Sequence, residues 1–272
     1  MFVNGEQMST KQNSIWSEDE IRHGIDYKPD VAKLKRDNAW DRLLRDSNWR
    51  IQEPAEEIVA FNEKYLKNPE NQIRQRLSGD YRRLHDLGSG GGRHTVYFAQ
   101  QGYEVLATDL SESAIKFTRK ALMDLGLDAR VYFAPMTRLP FEDDFFDVTI
   151  SRATVNHADL QGMKKSIFEV ARTTRENGLF FLTTVSDRSS EWGKGRVIVP
   201  GRTFVPTEGP EKGLIHTYLT ASESVALVEP FFRIEEIYLA EHPPLITKGT
   251  NLNSKSKNTY FGSEYVIIGV RR

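Results

Sequence analysis

The sequence predicts an α/β fold with a mostly parallel sheet that is covered by helices on both faces. Two observations lead to this fold class. Between about residues 80 and 185, short apolar runs alternate with segments of helix length, as in repeated β-α units. Several of these segments end at glycine, a common stop for helices and strands. Hydrophobic residues form 39% of the 272 residues, which is enough for a substantial core.

The composition excludes several kinds of chemistry. Lysine and arginine number 37 against 38 aspartate and glutamate residues, so the chain has no strong field for gathering nucleic acid or anionic lipid. It contains no cysteine, which excludes disulfides, thiolate metal sites and cysteine nucleophiles. No spacing of His, Asp and Glu suggests a metal site.

The N-terminal third is predicted to lie outside the sheet. Residues 1–13 are polar and lack the features of a signal peptide, so we expect a disordered tail. No later stretch is long enough to cross a bilayer, and a cytoplasmic location is the simplest expectation. Residues 14–78 predict a helical extension that begins with a capping-box pattern of Ser17 and Glu20. After Pro54, one helical face collects Ile58, Phe61, Tyr65 and Leu66.

The central region supplies five strands and three helices. The predicted strands are RRLHDLG (82–88), YEVLATDL (103–110), ARVYFAP (129–135), FFDVTIS (145–151) and GLFFLTTVS (178–186). The predicted helices cover 93–102, 111–126 and 159–174. Ser111 is the expected N-cap of the second helix, and Gly126 is its expected C-terminal stop.

The C-terminal part predicts an insertion and three more elements. Residues 186–218 are rich in Gly, Pro and Arg, and they indicate an inserted loop with a short hairpin. Insertions beyond the carboxyl end of a strand often shape a substrate pocket. A helix over 222–231, a strand over 232–242 and a last strand over 260–272 follow.

The segment HDLGSGGGRH, at the junction of the first strand and helix, indicates a cofactor site. Glycines at 88, 90 and 92 let the backbone turn tightly and approach a ligand, and the helix N-terminus follows. Such a turn can also be purely structural. Asp109 ends the second strand, where a carboxylate can accept hydrogen bonds from a ribose diol.

Two other nucleotide-binding motifs do not match this loop. The dinucleotide fingerprint requires glycine at 93 or 95, and those positions hold Arg93 and Thr95. A phosphate-binding P-loop requires a Lys-Ser or Lys-Thr pair after the glycines, which is absent.

The sequence resembles the class I S-adenosylmethionine-dependent methyltransferases, in the small-molecule branch similar to types 11 and 25. The matching features are Asp86-x-Gly88-x-Gly90-x-Gly92, Asp109, the segment MTRLPF (136–141) and FFDVTIS, all within residues 80–185. The resemblance implies a Rossmann-like, seven-stranded domain over 79–272 whose last strand, YVIIGVRR, is antiparallel. It also implies S-adenosylmethionine as the cofactor.

The resemblance also assigns cofactor-binding residues. The predicted set is Asp86, Gly88, Ser89, Gly90, Gly92, Asp109, Leu110, Met136, Thr137 and Arg152. The glycine backbone would hold the methionine part, with Asp86 organising the loop, and Asp109 would bind the ribose hydroxyls. Met136 and Thr137 would contact the adenine. Pro135 stands where the family often has an Asp that accepts from the adenine amine.

Two histidines are the candidate catalytic residues. His157 follows the fourth strand on the ligand face, and His216 lies near the end of the inserted segment, in GLIHTYL. Either could take a proton from the acceptor or orient it, and the alternative is a structural hydrogen bond. His94 is expected to form a hydrogen bond near the first helix, and Tyr218 either lines the pocket or packs.

The extension and the insertion are where an acceptor would be recognised. In related methyltransferases such helices often fold over the cofactor as a lid, which would involve Trp40 and Trp49; the alternative is that both tryptophans anchor the helices to the sheet. Arg196 and Arg202 could bind an anionic acceptor or could be solvated.

We predict an O- or N-methyltransferase that acts on a small molecule, as a monomer or homodimer and without a membrane partner. Methylation of RNA or protein is the first alternative, with residues 248–257, Arg271 and Arg272 as the docking surface. A non-catalytic cofactor-binding regulator is the second. The sequence SRAT after the fourth strand disfavours nucleobase amine methylation, which often uses Asn-Pro-Pro-aromatic there. The absence of cysteine excludes the cytosine C5 mechanism.

Overall fold

The computed structural model describes residues 2–3, 6–7, 14–27, 39–46, 53–76, 82–209, 211–242 and 262–272. Trp49 and the segment 248–257 lie outside these ranges. Strands β1 (Phe2–Val3) and β2 (Glu6–Gln7) pair antiparallel within the segment where the sequence predicts a disordered tail. No helix of the described residues is long and apolar enough to span a membrane.

The described residues of the N-terminal extension form short helices. They are α1 (Glu18–His23), α2 (Ala39–Asp46), α3 (Glu56–Phe61) with a π-helical continuation over Asn62–Lys67, and α4 (Gln72–Arg76). Ser17 and Glu20 form the predicted capping box at the start of α1. The apolar face after Pro54 is buried on the sheet, with Ile58, Phe61 and Tyr65 almost fully covered.

The remaining strands and helices include all those that the sequence predicts. The strands are β3 (Arg83–Leu87), β4 (Glu104–Asp109), β5 (Ala129–Phe133), β6 (Phe146–Ser151), β7 (Thr174–Val185), β8 (Arg196–Val199), β9 (Thr203–Val205), β10 (His216–Thr217), β11 (Phe232–His242) and β12 (Gly262–Arg271). The helices are α5 (Arg93–Gln100), α6 (Glu112–Leu125), α7 (Leu160–Thr173) and α8 (Ala221–Val228). Ser111 and Gly126 cap α6 as the sequence predicts.

Seven strands form the main sheet in the order β11-β12-β7-β6-β3-β4-β5. The pairs among β7, β6, β3, β4 and β5 are parallel, whereas β12 runs antiparallel to both of its neighbours. The prediction of an antiparallel last strand is therefore confirmed. This order brings the carboxyl ends of β3, β4 and β6 to one edge of the sheet, next to the glycine-rich loop.

Strand β7 begins four residues earlier than predicted because its start is bulged. Phe146 pairs with Thr174, and the register then jumps to Val148 with Leu179. Along the rest of the strand, successive side chains face opposite layers. Phe180 packs with α7 and α8, and Phe181 packs with α3 and its π-helical continuation. Helices therefore cover both faces, as predicted.

The insertion contains a three-stranded sheet, β10-β9-β8, rather than the predicted hairpin alone. Its third strand is held against the loop after β6. Thr217 donates its backbone N–H to Asn156 O at 2.8 Å and its hydroxyl to Ala158 O at 2.6 Å. The insertion thus reaches the carboxyl edge of the sheet, on the predicted substrate side.

A buried ion pair attaches α1 to the domain. Lys164 of α7 is only 3% exposed, and its Nζ lies 2.6 Å from Glu20 Oε1 and over the ring of Trp16. Trp16 also donates its indole N–H to Leu227 O at 3.1 Å. Burial opposes ionisation of Glu20, but the hydrogen bonds from Lys164 and Ser17 outweigh it and lower its pKa. The pair's contribution to stability is therefore lost as the pH falls through that lowered value.

We expect Glu20→Gln to lower the free energy of unfolding by about 2 kcal/mol, because the ammonium group of Lys164 stays buried without its counter-charge. Glutamine still completes the capping box, so the helix start is preserved. Glu18→Gln is the matched control in the same helical turn: its side chain is 90% exposed, and we expect a change below about 0.5 kcal/mol. Urea denaturation measures both values, and equal losses would contradict the assignment.

Candidate active site

The glycine-rich loop and Asp109 are joined by hydrogen bonds at the carboxyl edge of the sheet. The Asp109 carboxylate accepts from Gly90 N at 2.8 Å through one oxygen and from Ser111 N at 2.7 Å through the other. The backbone N–H groups of Gly88 and Ser89 donate to Thr108 O at 2.8 and 3.0 Å. The structure thus brings together the loop and the acidic residue that the sequence predicts to act on one ligand.

The three alternate glycines have different roles. All have positive φ, between +53° and +83°. A Cβ on Gly88 would lie 2.3 Å from the side chain of Thr154, and one on Gly92 would lie 2.6 Å from that of Thr118. A Cβ on Gly90 would meet no atom within 4 Å among the described residues. Packing therefore requires glycine at two positions, and the third leaves a backbone surface that a ligand can approach.

Asp86 and Asp109 are buried carboxyl groups beside the glycine-rich loop, and burial disfavours their charged forms. Burial raises the pKa of Asp86 to about 6, and the nearby carboxylate of Asp109 contributes to the rise. The 2.6 Å hydrogen bond from Thr95 Oγ1 acts in the opposite direction and lowers the pKa. Burial likewise raises the pKa of Asp109, although backbone N–H groups of Ser111 and Gly90 oppose this. A cationic ligand beside them would favour their charged forms.

Several buried polar atoms at this edge lack a hydrogen-bond partner in the described part of the chain. They are Ser89 Oγ, Thr137 Oγ1, Ser151 Oγ and Asn156 Oδ1. Buried polar groups in folded proteins are nearly always hydrogen-bonded, and each exception requires an explanation. Because Ser89, Thr137 and Ser151 stand at or just after the ends of β3, β5 and β6, a polar ligand above these strands would satisfy them.

The helix α2 covers the site. Asp41 Oδ1 accepts from Ser111 Oγ at 2.9 Å and from Ser113 N at 2.7 Å, at the N-terminus of α6. Burial opposes ionisation of Asp41, but hydrogen bonds from Ser113, Arg45 and Ser111 outweigh it and lower its pKa to about 2. The carboxylate is therefore charged at neutral pH and favourably placed at a helix N-terminus. The sequence assigned no role to Asp41.

The two candidate catalytic histidines lie side by side. Their ring centroids are 4.6 Å apart, and Trp40 of α2 meets the His157 ring edge-on at 4.5 Å. His157 donates from Nδ1 to Ile215 O at 3.2 Å. Burial lowers the pKa of His157 to about 3 and that of His216 to about 4, so both rings are neutral at physiological pH. A neutral ring with so low a pKa is a weak base.

The structure gives other predicted residues structural contacts. Arg152 Nη2 lies 3.4 Å from Glu264 Oε2 and 3.9 Å from Glu57 Oε1, which ties β6 to β12 and α3. His94 accepts from Ala55 N at 3.3 Å, the structural hydrogen bond that was expected. Arg202 forms an ion pair with Glu223.

Leu110 and Met136 are half-buried near the loop, and Pro135 begins a turn that closes on Arg138 N. Sequence reasoning missed Asp41, Glu57, Glu211 and Glu264. The contacts of Asp41, Glu57 and Glu264 join segments distant in the chain. Glu211 contacts His216 within the insertion, but no sequence pattern marks this pair.

Residues 85–182 match the family model described as a methyltransferase domain, over the same strands and loops that build this site. This segment of the chain is therefore a methyltransferase domain of the class I, S-adenosylmethionine-dependent kind. Over 97 residues the chain is 38% identical to a ubiquinone/menaquinone biosynthesis C-methyltransferase of Vibrio parahaemolyticus, an alignment covering 33% of this chain and 37% of that protein. It is 27% identical to an uncharacterised methyltransferase of Bacillus subtilis, covering 37% and 39%. The chain thus spans well under half the length of these curated relatives.

The fold comparison agrees with the sequence comparison. A methyltransferase structure from Methanosarcina mazei, described as S-adenosylmethionine-dependent, superposes with a TM-score of 0.59 at 20% identity. The superposition covers 74% of this chain and 97% of that one. At this identity the likeness shows the fold alone.

S-adenosylmethionine is the cofactor that the methyltransferase-domain match supports, and the residues present fit it. The open face of Gly90 admits a ligand to the backbone. The hydroxyls of Ser89 and Thr137, which have no hydrogen-bond partner in the part of the chain that the structure describes, match a ligand that is rich in polar groups. The pKa values of Asp86 and Asp109, raised by burial, match a ligand that carries positive charge.

We expect Asp109→Asn to weaken S-adenosylmethionine binding at least about 20-fold, a loss of about 2 kcal/mol. An amide has one acceptor oxygen, so it cannot accept from both Gly90 N and Ser111 N and still bind a ribose diol. Asp124→Asn, which removes an exposed carboxylate of α6, is the control and should bind normally. Calorimetric titration measures both, and an unchanged affinity in Asp109→Asn would refute the ribose assignment.

Proposed function

We propose that this methyltransferase transfers a methyl group to an oxygen or nitrogen atom of a small-molecule acceptor. The observation that supports this proposal best is the row of rings between α2 and the insertion. Trp40 contacts His157, His157 contacts His216, and His216 stacks on Tyr218 with 6.3 Å between centroids. Aromatic rings of this kind are a common lining for sites that bind an organic molecule of modest size.

The proposed cofactor contacts follow from the geometry of the carboxyl edge. The backbone of Gly88 and Gly90 would hold the methionine part, and Asp109 would accept from the ribose hydroxyls. Ser89 and Thr137 would gain the hydrogen-bond partners they lack within the described residues. When bound, S-adenosylmethionine supplies an electrophilic methyl group on a sulfonium centre.

The loop after β6 is the proposed link between the cofactor and acceptor sides. Thr154 packs against Gly88 and also accepts a backbone hydrogen bond from His157 N at 3.1 Å. The Trp40 and His216 rings then fix the orientation of the His157 imidazole. These residues can hold an acceptor in line with the transferred group and exclude water, which is a large part of what in-line displacement requires.

Docking of RNA or protein receives less support from the described residues. Arg271, one of the predicted docking residues, donates from Nε to Ala171 O at 2.7 Å and from Nη1 to Phe231 O at 3.3 Å. Its guanidinium therefore forms hydrogen bonds that hold the C-terminal strand in the fold. The near-neutral net charge of −1 also provides little long-range attraction for a polyanion.

Carbon methylation is a second candidate because the aligned Vibrio relative is named a C-methyltransferase. The alignment with that relative covers only 33% of this chain and 37% of that protein. The relative's name therefore supports the reaction type more than the acceptor atom.

The experiment that tests the proposal uses purified protein and S-adenosylmethionine with a labelled methyl group. Phenols, amines and quinols are offered in parallel with bulk RNA and denatured protein, and products are analysed by mass spectrometry and NMR. Label on an oxygen or nitrogen of a small molecule supports the proposal, and label on a ring carbon supports the second candidate. Label confined to RNA or protein, or cofactor binding without any transfer, contradicts both.

We expect Trp40→Ala to lower kcat/KM for the best acceptor about tenfold, because the His157 ring loses an edge-on partner worth about 1 kcal/mol beyond its buried area. The affinity for S-adenosylmethionine should change much less, since Asp41 still holds α2 on α6. Arg42→Ala, an exposed position on the same helix, is the matched control. Equal losses in both variants would show that Trp40 does not line the acceptor side.

A further inference from the structure

Glu211 lies against the two histidines, and neither the sequence motifs nor the family match assigns it a role. It stands in the loop before β10, and its Oε2 is 3.2 Å from His216 Nε2. His216 is only 6% exposed. Despite this distance, Nε2 has no well-aligned hydrogen bond with any described residue. The carboxyl group is therefore within 3.2 Å of an imidazole nitrogen that has no other hydrogen-bond partner among the described residues.

We propose that Glu211 and His216 form an acid–base pair that takes the proton released by the methyl acceptor. The pair adjoins the proposed acceptor space because the His216 ring contacts His157, whose loop packs on the cofactor-side Gly88 through Thr154. Glu211 keeps 26% of its side chain exposed, which leaves a route for the proton to solvent. The inference rests on the proposed function and identifies the residues that would accept the proton released by the methyl acceptor.

The charges around Glu211 favour holding a proton near neutral pH. Burial raises its pKa to about 7, and the carboxylates of Glu264 and Glu191 raise it further. Both neighbours have cations of their own: Arg152 is 3.4 Å from Glu264, and Lys194 is 3.0 Å from Glu191. The pair's proton therefore resides on the carboxyl group, because burial keeps the nearby imidazoles neutral.

The proposed step balances as a displacement coupled to proton loss. The acceptor oxygen or nitrogen forms a bond to the methyl carbon as the carbon–sulfur bond breaks, and that electron pair stays on sulfur. The acceptor's proton passes to the ionised pair and then from Glu211 to solvent. A base whose pKa lies near the working pH is suited to this task, whereas a buried histidine with a pKa of about 3 is not.

The first test needs no acceptor. In protein with carbon-13 in its glutamate carboxyl groups, one resonance should titrate with a midpoint near pH 7 and should be absent from Glu211→Gln. Glu208→Gln, in which an exposed carboxylate of the same loop is removed, should keep it. A Glu211 resonance that titrates at an ordinary value near 4.5 would overturn the proposal.

The second test uses the best acceptor from the panel. In the unaltered protein, kcat/KM should rise as the pH rises through about 7, because the pair must be ionised to accept a proton. Glu211→Gln should lower kcat/KM about 100-fold and abolish this rise, Glu211→Asp should keep the rise at a lower rate, and Glu208→Gln should behave normally. S-adenosylmethionine affinity should stay unchanged in all three variants.

The outcomes separate the two proposals. Transfer by the unaltered protein with the same pH profile in Glu211→Gln overturns the acid–base pair and leaves the proposed function standing. Cofactor binding by the unaltered protein without transfer to any acceptor overturns the proposed function and the pair with it.

Discussion

The carboxylate of Asp109 is the constraint on which the rest of the site depends. One oxygen holds Gly90 of the glycine-rich loop, and the other holds Ser111 at the start of α6. Because β3 and β4 are adjacent and parallel, this single side chain reaches the loops that follow both strands. Ser111 in turn donates to Asp41, which attaches α2 at the same point. The glycine-rich loop, α6 and α2 are therefore connected by one chain of hydrogen bonds.

The proposed acceptor side is formed by segments that are far apart in the chain. Trp40 comes from the extension, His157 from the loop after β6, and Glu211 and His216 from the insertion. The insertion is fixed there by two hydrogen bonds of Thr217 to the backbone of the loop after β6. Burial of the histidines then keeps both rings neutral, and the partly exposed Glu211 remains the group able to exchange a proton near neutral pH.

Local signals predicted most of the fold. Glycines, caps and apolar runs are properties of short segments, so the alternating elements, the caps of α6 and the glycine-rich loop could be located from the sequence. The seven-stranded, mostly parallel sheet and its antiparallel last strand followed from the family resemblance and are confirmed. The start of β7 was predicted four residues late because its first residues form a bulge that no apolar run marks.

The acceptor site could be predicted only in part because its contacts are tertiary. The sequence places His157 after a strand, but it does not show that Trp40, more than 100 residues earlier, lies against the ring. It assigns Arg152 to the cofactor, whereas folding brings the guanidinium between Glu57 and Glu264. A carboxyl group becomes a base near neutral pH through desolvation and neighbouring charge, and both depend on the folded chain. The proposed acceptor chemistry of this chain therefore depends on the extension and the insertion, about which the cofactor motif carries no information.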